Sequence, residues 1–598
     1  MCGICGIINY SKNYKITEPL INDMCLKMVH RGPDEGGIFI KNVADPAVGL
    51  GHRRLKIIDL SEAARQPMVN EDKTIWIVFN GEIYNFYELR KALEDKGHKF
   101  SSHSDTEVII HLYEEEGMDC VKKLRGMFAF AIWDSRDKLL FLARDRVGKK
   151  PLLYSYKNGV FCFASEFTAL IASGNISKEI NFKAIPDYMT FGYVPAPESI
   201  YRDIYKLLPG HILTLRSGEL KIQRYWQLDY EAKINISFQD AVERVKELLD
   251  EAVKIRLHSD VPLGAFLSGG IDSSAVVGLM HKFSSGRVKT FSIGFDDKNF
   301  NELYYARIIA RRFNTEHHEF VVTPNALKIL PELVERYGEP YADSSCIPTY
   351  YVANMTRQYV TVALNGDGGD ELFAGYERYR AAYLARWYNR IPVFLRDALI
   401  EPLVNIIPRS KYSKNKINRI KRFLKNANLP LSKRYLQWSA FCDTDFQDKL
   451  YSWEFLNSVP SVDSGRFFLP FFNKRERSQL IDTLLNLDTN TYLPNDLLVK
   501  VDIAAMANSL EARSPFLDHR LIEFVVSLKA DYKMRWLIKK YLLKKVIKNI
   551  VPRKNIYRSK MGFGVPIGSW LRNQLKGLLT DTLLSSRSLG RGYFNPEF

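Results

Sequence analysis

The sequence predicts a chain in two parts, a strand-rich α+β half followed by an α/β half built on a parallel sheet. Three observations carry this. Up to about residue 215, short β-like runs are punctuated by turns: IWIVFN at 75–80, MFAFAIW at 127–133, KLLFLA at 138–143 and VFCFAS at 160–165. From Ser237 the apolar period becomes helical, with Ser237 and Asp240 as a start signal and Ala241, Val245, Leu248, Leu249, Ala252 and Val253 on one face. The runs VPLGAFL and VKTFSIGF (288–295) then alternate with helices, as in a parallel sheet.

A chain of 598 residues exceeds one hydrophobic core, and 46% hydrophobic with 26% charged residues reads as globular, so two or more domains are expected. The expected division is 1–215, a linker at 216–236 marked by a Pro-Gly turn and the tail RSGELKIQRYWQLDY, and 237–598. Apolar runs stay well short of the roughly 18 residues a membrane helix needs, so no membrane insertion is expected. The opening MCGICGIINYSKNYK has no secretory pattern, and seven scattered cysteines suit a reducing compartment, so the cytoplasm is the expected location. Whether GYFNPEF is the true end is left open.

A formal charge of +17 admits nucleic acid, anionic substrates or an acidic membrane face as partners and names none. Part of the excess lies between Arg409 and Arg434, a run without Asp or Glu. The plainer reading is a solvated helical face, and no specific nucleic acid is expected.

If Met1 is removed, Cys2 carries a thiol and a free α-amine, which titrates near ~7.7–8.0 and can serve as the base for its own nucleophile. Alone, Cys2 reads as a small residue starting a strand, and Asn80-Gly81 as a hairpin turn. Their company changes this: RGPDEGG at 31–37, HRRLKIID at 52–59, NGEIYN at 80–85, SDTEV at 104–108, RDRVGKKPLLY at 144–154 and ASEFTAL at 164–170.

These motifs, in this order, resemble the glutaminase domain of asparagine synthetases, a class II glutamine amidotransferase with the N-terminal nucleophile hydrolase fold, an αββα sandwich. The resemblance implies Cys2 as nucleophile, Asn80 and Gly81 as oxyanion hole, Arg54 on the glutamine α-carboxylate, and Glu82 and Asp105 on its α-ammonium. The chemistry agrees, since a guanidinium fork suits a carboxylate and two acids suit an ammonium.

In the second half SGGIDSS (268–274) follows a buried strand and opens a helix. Helix N-terminal amides, Gly269, Gly270 and the hydroxyls of Ser268, Ser273 and Ser274 make an anion site. No G-x-x-x-x-G-K-[ST] occurs in the chain. A second acidic cluster, LNGDGGDELFAGY, follows the strand YVTVAL and carries Asp367, Asp370 and Glu371. Hard Mg2+ prefers carboxylates with phosphate oxygens, which selects Asp272 and Asp370 as its ligands.

With SLEARSPFLDHRL (509–521) and KMGFGVPIGSW (560–570), these motifs resemble the synthetase domain of the same family, a doubly wound parallel sheet of the ATP pyrophosphatase type. The resemblance implies adenylate contacts at Leu267, Ile293, Asn365 and Gly366, acyl-adenylate formation at Asp367 and its stabilisation by Lys540. Lys540 also fits a Lys-rich amphipathic helix, KKYLLKK, as a solvated residue. His317 and His318 lack spaced partners and read as structural.

The expected reaction uses glutamine, ATP and Mg2+ to amidate aspartate through an adenylate, with ammonia passing under cover between two sites. Asn365, Asp367 and ADSSCIPTY (342–350) depart from common family patterns, so another acceptor, such as a sugar acid of a surface polysaccharide, stays open. Two other classes compete: an adenylating enzyme acting on nucleic acid, which needs no glutamine site, and a catalytically silent interaction protein, which has no reason to keep Cys2, Asp272 and Asp370. A homodimer is compatible with the sequence, which does not decide it.

Overall fold

The structure, a computed structural model, describes all residues except 1, 12–13, 43–45, 298–299, 324–327, 397–401, 403–405, 407–415, 460–462, 473–478, 560 and 563. The first residues of the basic run, Arg409 to Asn415, therefore lie outside the described residues, as do Lys560 and Phe563 of the last motif.

The N-terminal half carries β1 (Gly3–Asn9), β2 (Glu35–Lys41), β3 (Ala47–Arg54), β4 (Met68–Val69), β5 (Ile75–Ile83) and β6 (Gly126–Asp134). It continues with β7 (Leu139–Arg144), β8 (Leu153–Lys157), β9 (Val160–Ala164), β10 (Tyr205–Lys206), β11 (His211–Arg216) and β12 (Glu219–Arg224). They form two sheets, β10-β8-β9-β1-β3-β2 and β12-β11-β7-β6-β5-β4, with antiparallel pairing.

Ile4, Ile8, Leu50, Val78, Trp133 and Phe161 fill the space between the sheets. On β1 the neighbours Cys5 and Ile7 face the other way, toward helix Glu18–Leu26. A strand covered on both faces has no polar side to alternate with, which explains the run GICGIIN. Helices Phe86–Glu94 and Asp105–Glu116 cover the second sheet through Phe86, Leu93, Ile109 and Leu112. The order is α, β, β, α, the expected sandwich.

The linker expectation needs correction at 216–224. A turn at Ser217 and Gly218, both at positive φ, joins β11 to β12, and both strands belong to the second sheet. β12 is a largely exposed edge strand, so no apolar run marks it.

The C-terminal half holds β13 (Leu263–Phe266), β14 (Lys289–Phe295), β15 (Glu316–Val322), β16 (Val362–Leu364) and β17 (Glu511–Arg513) in one parallel sheet. Their order is β15-β14-β13-β16-β17. Ser237 caps helix Phe238–Arg256 by accepting from the Asp240 amide. Helices Ile271–Phe283 and Cys346–Arg357 belong to separate apolar cores, one with Ala265 and Leu364 and the other with Phe291 and Ala363. The order in which strands are added reverses between β13 and β16, and in such sheets the crevice at the strands' carboxyl ends is where ligands bind.

Buried ion pairs join the halves: Arg31–Asp502 at 2.8 Å, Lys150–Asp502 at 3.2 Å, Arg125–Asp518 at 2.8 Å and Glu82–Arg513 at 3.0 Å. Each costs desolvation, and breaking one leaves a buried charge. Among the described residues no helix is long and apolar enough to cross a membrane. The described part of the basic run is mostly helix Lys416–Ala427, where Lys425 pairs with Asp443. Its last residue departs from a solvated face: Arg434 is buried, donates to the Ala427 carbonyl and lies over Trp438.

Candidate active site

Cys2 sits just before β1, where Gly3 pairs with Arg53 of β3, and its side chain is buried. Its backbone nitrogen donates to Asn80 Oδ1 at 3.2 Å, and its carbonyl accepts from Arg31 Nε at 3.1 Å. Asn80 and Gly81 lie inside β5, opposite Ala129 and Phe128, which excludes a hairpin turn. Asn80 is fully buried, and its Nδ2 has no partner among the described residues. A buried amide donor left over beside a cysteine is a site waiting for an acceptor. A side chain on Gly81 would collide with the Met127 carbonyl, so only glycine fits. Burial raises the Cys2 thiol above its usual range, opposed by nearby positive groups including Arg54.

Arg54, Glu82 and Asp105, the residues expected to meet a glutamine substrate, already have partners. Arg54 Nη1 donates to Glu35 and the Ser61 carbonyl, and Nη2 to the carbonyls of Ile58 and Asp59. The fork is thus held by loop 58–61. Glu82 pairs with Arg513, which also binds Glu511 at 2.6 Å. Asp105, at the start of its helix, accepts from the Ile83 amide at 2.9 Å. Burial pushes Glu82 well above the carboxylate range and Asp105 up to about 6, and the nearby Glu511 adds to both. Three acids around one guanidinium leave negative charge that a second cation would offset.

At the sheet's switch point, SGGIDSS leaves β13 and LNGDGGD leaves β16. Gly269 has φ +68 with the Tyr305 backbone against it, and Gly270 caps helix Ile271–Phe283. Gly366 and Gly369 let the two loops touch: added side chains would lie 2.8 Å from Asp272 Cβ and 2.5 Å from Asp272 Oδ1. Ser268 and Ser273 bond each other at 3.0 Å, and Ser268 Oγ accepts from the Gly270 amide. Ser274, the last hydroxyl of the motif, lies in the first turn of the helix. It is fully buried, and its Oγ has no hydrogen-bond partner among the described residues.

Leu267 donates to the Phe291 carbonyl at 2.8 Å, and Ile293 lies farther along β14, beyond the end of β13. Asn365 Oδ1 accepts from Ser514 at 2.7 Å, while its buried Nδ2 has no partner among the described residues. Lys540 is not on the Lys-rich helix face. It precedes helix Tyr541–Val546 in a left-handed conformation, which turns its buried side chain inward. There Nζ meets Asp272 Oδ2 at 2.5 Å and Asp370 Oδ1 at 2.7 Å, and these partners outweigh burial to raise its pKa. Two carboxylates from different loops converging on one cation is an arrangement that fits Mg2+.

Several residues were not singled out by sequence. Arg558 pairs with Glu302, its Nη2 lies 3.7 Å from where a Gly270 side chain would begin, and its buried Nη1 has no partner among the described residues. Lys149, from the N-terminal half, is buried with no hydrogen-bond partner for Nζ among the described residues, and burial lowers it to about 8 against the attraction of Asp367. Lys500 pairs with Asp343 of the ADSSCIPTY segment at 2.9 Å and also feels Asp367. Asp367 is therefore within electrostatic reach of cations from both halves. Arg558 and Lys149 lay within or beside quoted motifs, whereas Lys500 carries no local signal.

His317 bonds Thr290 and Glu319, and His318 stacks near Phe291 and Tyr359, as structural residues do.

Family models match both halves: a glutamine amidotransferase domain over residues 1–226 and asparagine synthase over 244–598. Asparagine synthetase [glutamine-hydrolyzing] 1 of Bacillus subtilis is 36% identical over 592 residues, spanning 98% of this chain and 90% of that protein. A provisionally named asparagine synthetase [glutamine-hydrolyzing] 2 of Methanocaldococcus jannaschii is 43% identical over 420 residues, or 66% of this chain and 79% of that one. With a buried cysteine at one end of the interface and paired aspartates at the switch point on the other, the chain belongs to the glutamine-hydrolysing asparagine synthetase family.

Proposed function

We propose that this chain makes asparagine from aspartate, ATP and glutamine through an aspartyl-adenylate. The proposed units are a glutaminase reaching through β12 and a synthetase beginning at Ser237. The observation that carries the reading is Arg31, which bonds the Cys2 carbonyl and Asp502 at once and so sets the thiol against the synthetase half.

In the first half, the α-amine of a mature Cys2 takes the thiol proton and Sγ attacks the glutamine amide carbon. Asn80 Nδ2 and the Gly81 N–H stabilise the oxyanion, a contribution of about 3–4 kcal/mol for such a donor. Ammonia leaves, and water releases glutamate from the thioester. Glu82 and Asp105 hold the substrate ammonium; Arg54 holds its carboxylate once loop 58–61 yields the fork.

In the second half, the acceptor carboxylate attacks the α-phosphorus of ATP and pyrophosphate departs. Ser268, Ser273, the Ile271 helix amides and Arg558 face the leaving charge, and Leu267, Ile293, Asn365 and Gly366 hold the adenylate. Asp272 and Asp370 would hold Mg2+, which when bound offsets negative charge on the phosphates. Lys540 keeps those carboxylates together and stabilises the acyl-adenylate, and Asp367, within electrostatic reach of Lys149 and Lys500, serves its formation. Ammonia then attacks the acyl carbon and AMP leaves, the ammonia having travelled from Cys2 under cover of the buried interface.

Incubation with amide-labelled glutamine, MgATP and aspartate tests this. Labelled asparagine with glutamate, AMP and pyrophosphate in equal amounts is expected; label in another amide, or ADP and phosphate, would refute it.

A further inference from the structure

We propose that His98, His111 and Glu114 form a binding site for a divalent transition-metal ion of the Zn2+ class, on the glutaminase half and separate from both reaction centres. Three ligand atoms converge: His98 Nδ1 and His111 Nδ1 are 3.1 Å apart, His111 Nδ1 and Glu114 Oε2 2.9 Å, and His98 Nδ1 and Glu114 Oε2 3.6 Å. Bonds of about 2.0–2.1 Å to a tetrahedral ion give edges of roughly 3.3–3.4 Å, so this triangle approximates one face of such a shell.

The far side of each ligand is also placed. His98 Nε2 meets Glu115 Oε1 at 3.1 Å, Glu114 Oε1 accepts from Asn70 Nδ2 at 2.7 Å, and His111 Nε2 faces Glu107 Oε1 at 3.9 Å. Glu115 on the outer nitrogen of His98 draws its hydrogen there and leaves the His98 Nδ1 lone pair pointing inward, whereas His111 Nδ1 is hydrogen-bonded to Glu114 and would give up a proton to an entering metal ion. The 3.1 Å contact between the two Nδ1 atoms is one that either a shared proton or a bound cation can bridge, and the third ligand Glu114 makes the cation a fit. Two imidazoles with one carboxylate select Zn2+ or its neighbours over Mg2+ or Ca2+, which favour oxygen.

His111 is buried, while the side chains of His98 and Glu114 are 15% and 20% exposed, so an ion has an approach from solvent. His98 lies between helices, and His111 and Glu114 lie on helix Asp105–Glu116. The ion would therefore tie the segment before Ser101 to that helix. Glu107 of the same helix already binds the amides and hydroxyls of Ser101 and Ser102.

The test uses the full chain, stripped with a chelator and titrated with Co2+ as a visible probe and with Zn2+ by calorimetry, without glutamine or ATP. One equivalent of Co2+ with a ligand-field band, displaced by Zn2+, is expected, together with a Zn2+-dependent rise in Tm. His98→Ala should weaken Zn2+ binding at least tenfold and abolish the Tm rise while unfolding remains cooperative. Should that variant fold poorly, Glu114→Gln supplies the same comparison with a smaller change. A wild-type chain that binds no Zn2+, or variants that bind it as tightly as wild type, would overturn the site; in the latter case the ion would be on thiols such as Cys5 and Cys25, whose sulfurs are 3.8 Å apart.

Discussion

Arg513, at the end of β17, pairs with Glu82 at the end of β5, so a residue of the synthetase sheet meets an acid of the proposed glutamine pocket. Both side chains are buried, and Glu511 and Asp105 lie close by. Arg513→Met should destabilise the chain by about 3–5 kcal/mol, because it leaves buried acids without their cation. Denaturant unfolding at pH 7.5 measures this. Adding Glu511→Gln should restore part of the loss, and a double variant as unstable as the single one would contradict the account.

In the proposed glutamine pocket, Asp105 brings a pH dependence. Burial, with Glu511, raises its carboxyl from 3.8 to about 6, so between those values the folded chain binds its proton more tightly than the unfolded chain does. Its contribution therefore lowers stability as pH rises from about 4 to about 6, and that cost persists above. Asp105→Asn should raise Tm at pH 7.5 relative to its effect at pH 4. Glutamine KM of the wild type should climb as pH falls below 6, when the ammonium loses a charged partner; a KM constant from pH 8 to 5 would count against this role.

Cys2→Ala should abolish glutamine hydrolysis yet retain synthesis from free ammonium. Mass spectrometry of active protein should show an N-terminal Cys2. Full activity with Met1 in place would rule out the α-amine as base.

Asp272→Asn and Asp370→Asn should each lower ATP-dependent amidation by at least a hundredfold, about 2.7 kcal/mol of barrier, and spare glutamine hydrolysis. An amide ligates Mg2+ weakly and weakens the pairing that holds Lys540. Near-normal synthesis in both variants would remove these residues from the metal assignment.

The loops SGGIDSS and LNGDGGD were readable because their chemistry is local: glycines, hydroxyls and carboxylates lie within a few residues at a strand's end. The strands at 75–80, 127–133 and 288–295 were readable for a related reason, since buried strands write apolar runs. Lys540 was ambiguous because helical periodicity says nothing of the left-handed residue that precedes the helix. Arg54 matched its motif, but its commitment to the carbonyls of loop 58–61 depends on backbone folding that no motif encodes. Arg513 and Asp502 were missed as partners because Glu82 and Arg31 lie hundreds of residues away. His98 and His111 escaped notice because their spacing resembles no familiar metal motif and an irregular segment separates them.

The link from Cys2 through Arg31 to Asp502 bears on how this enzyme could be recombined. Arg31, Lys150 and Arg125 are complete only when Asp502 and Asp518 are opposite them. A chimaera that took its first 226 residues from one relative and the rest from another would have to inherit these positions as a set. Interfaces of this kind make the two halves poor interchangeable parts: a graft that ignores the pairing would disturb the chain at Cys2, next to the start of β1, before it touched any substrate.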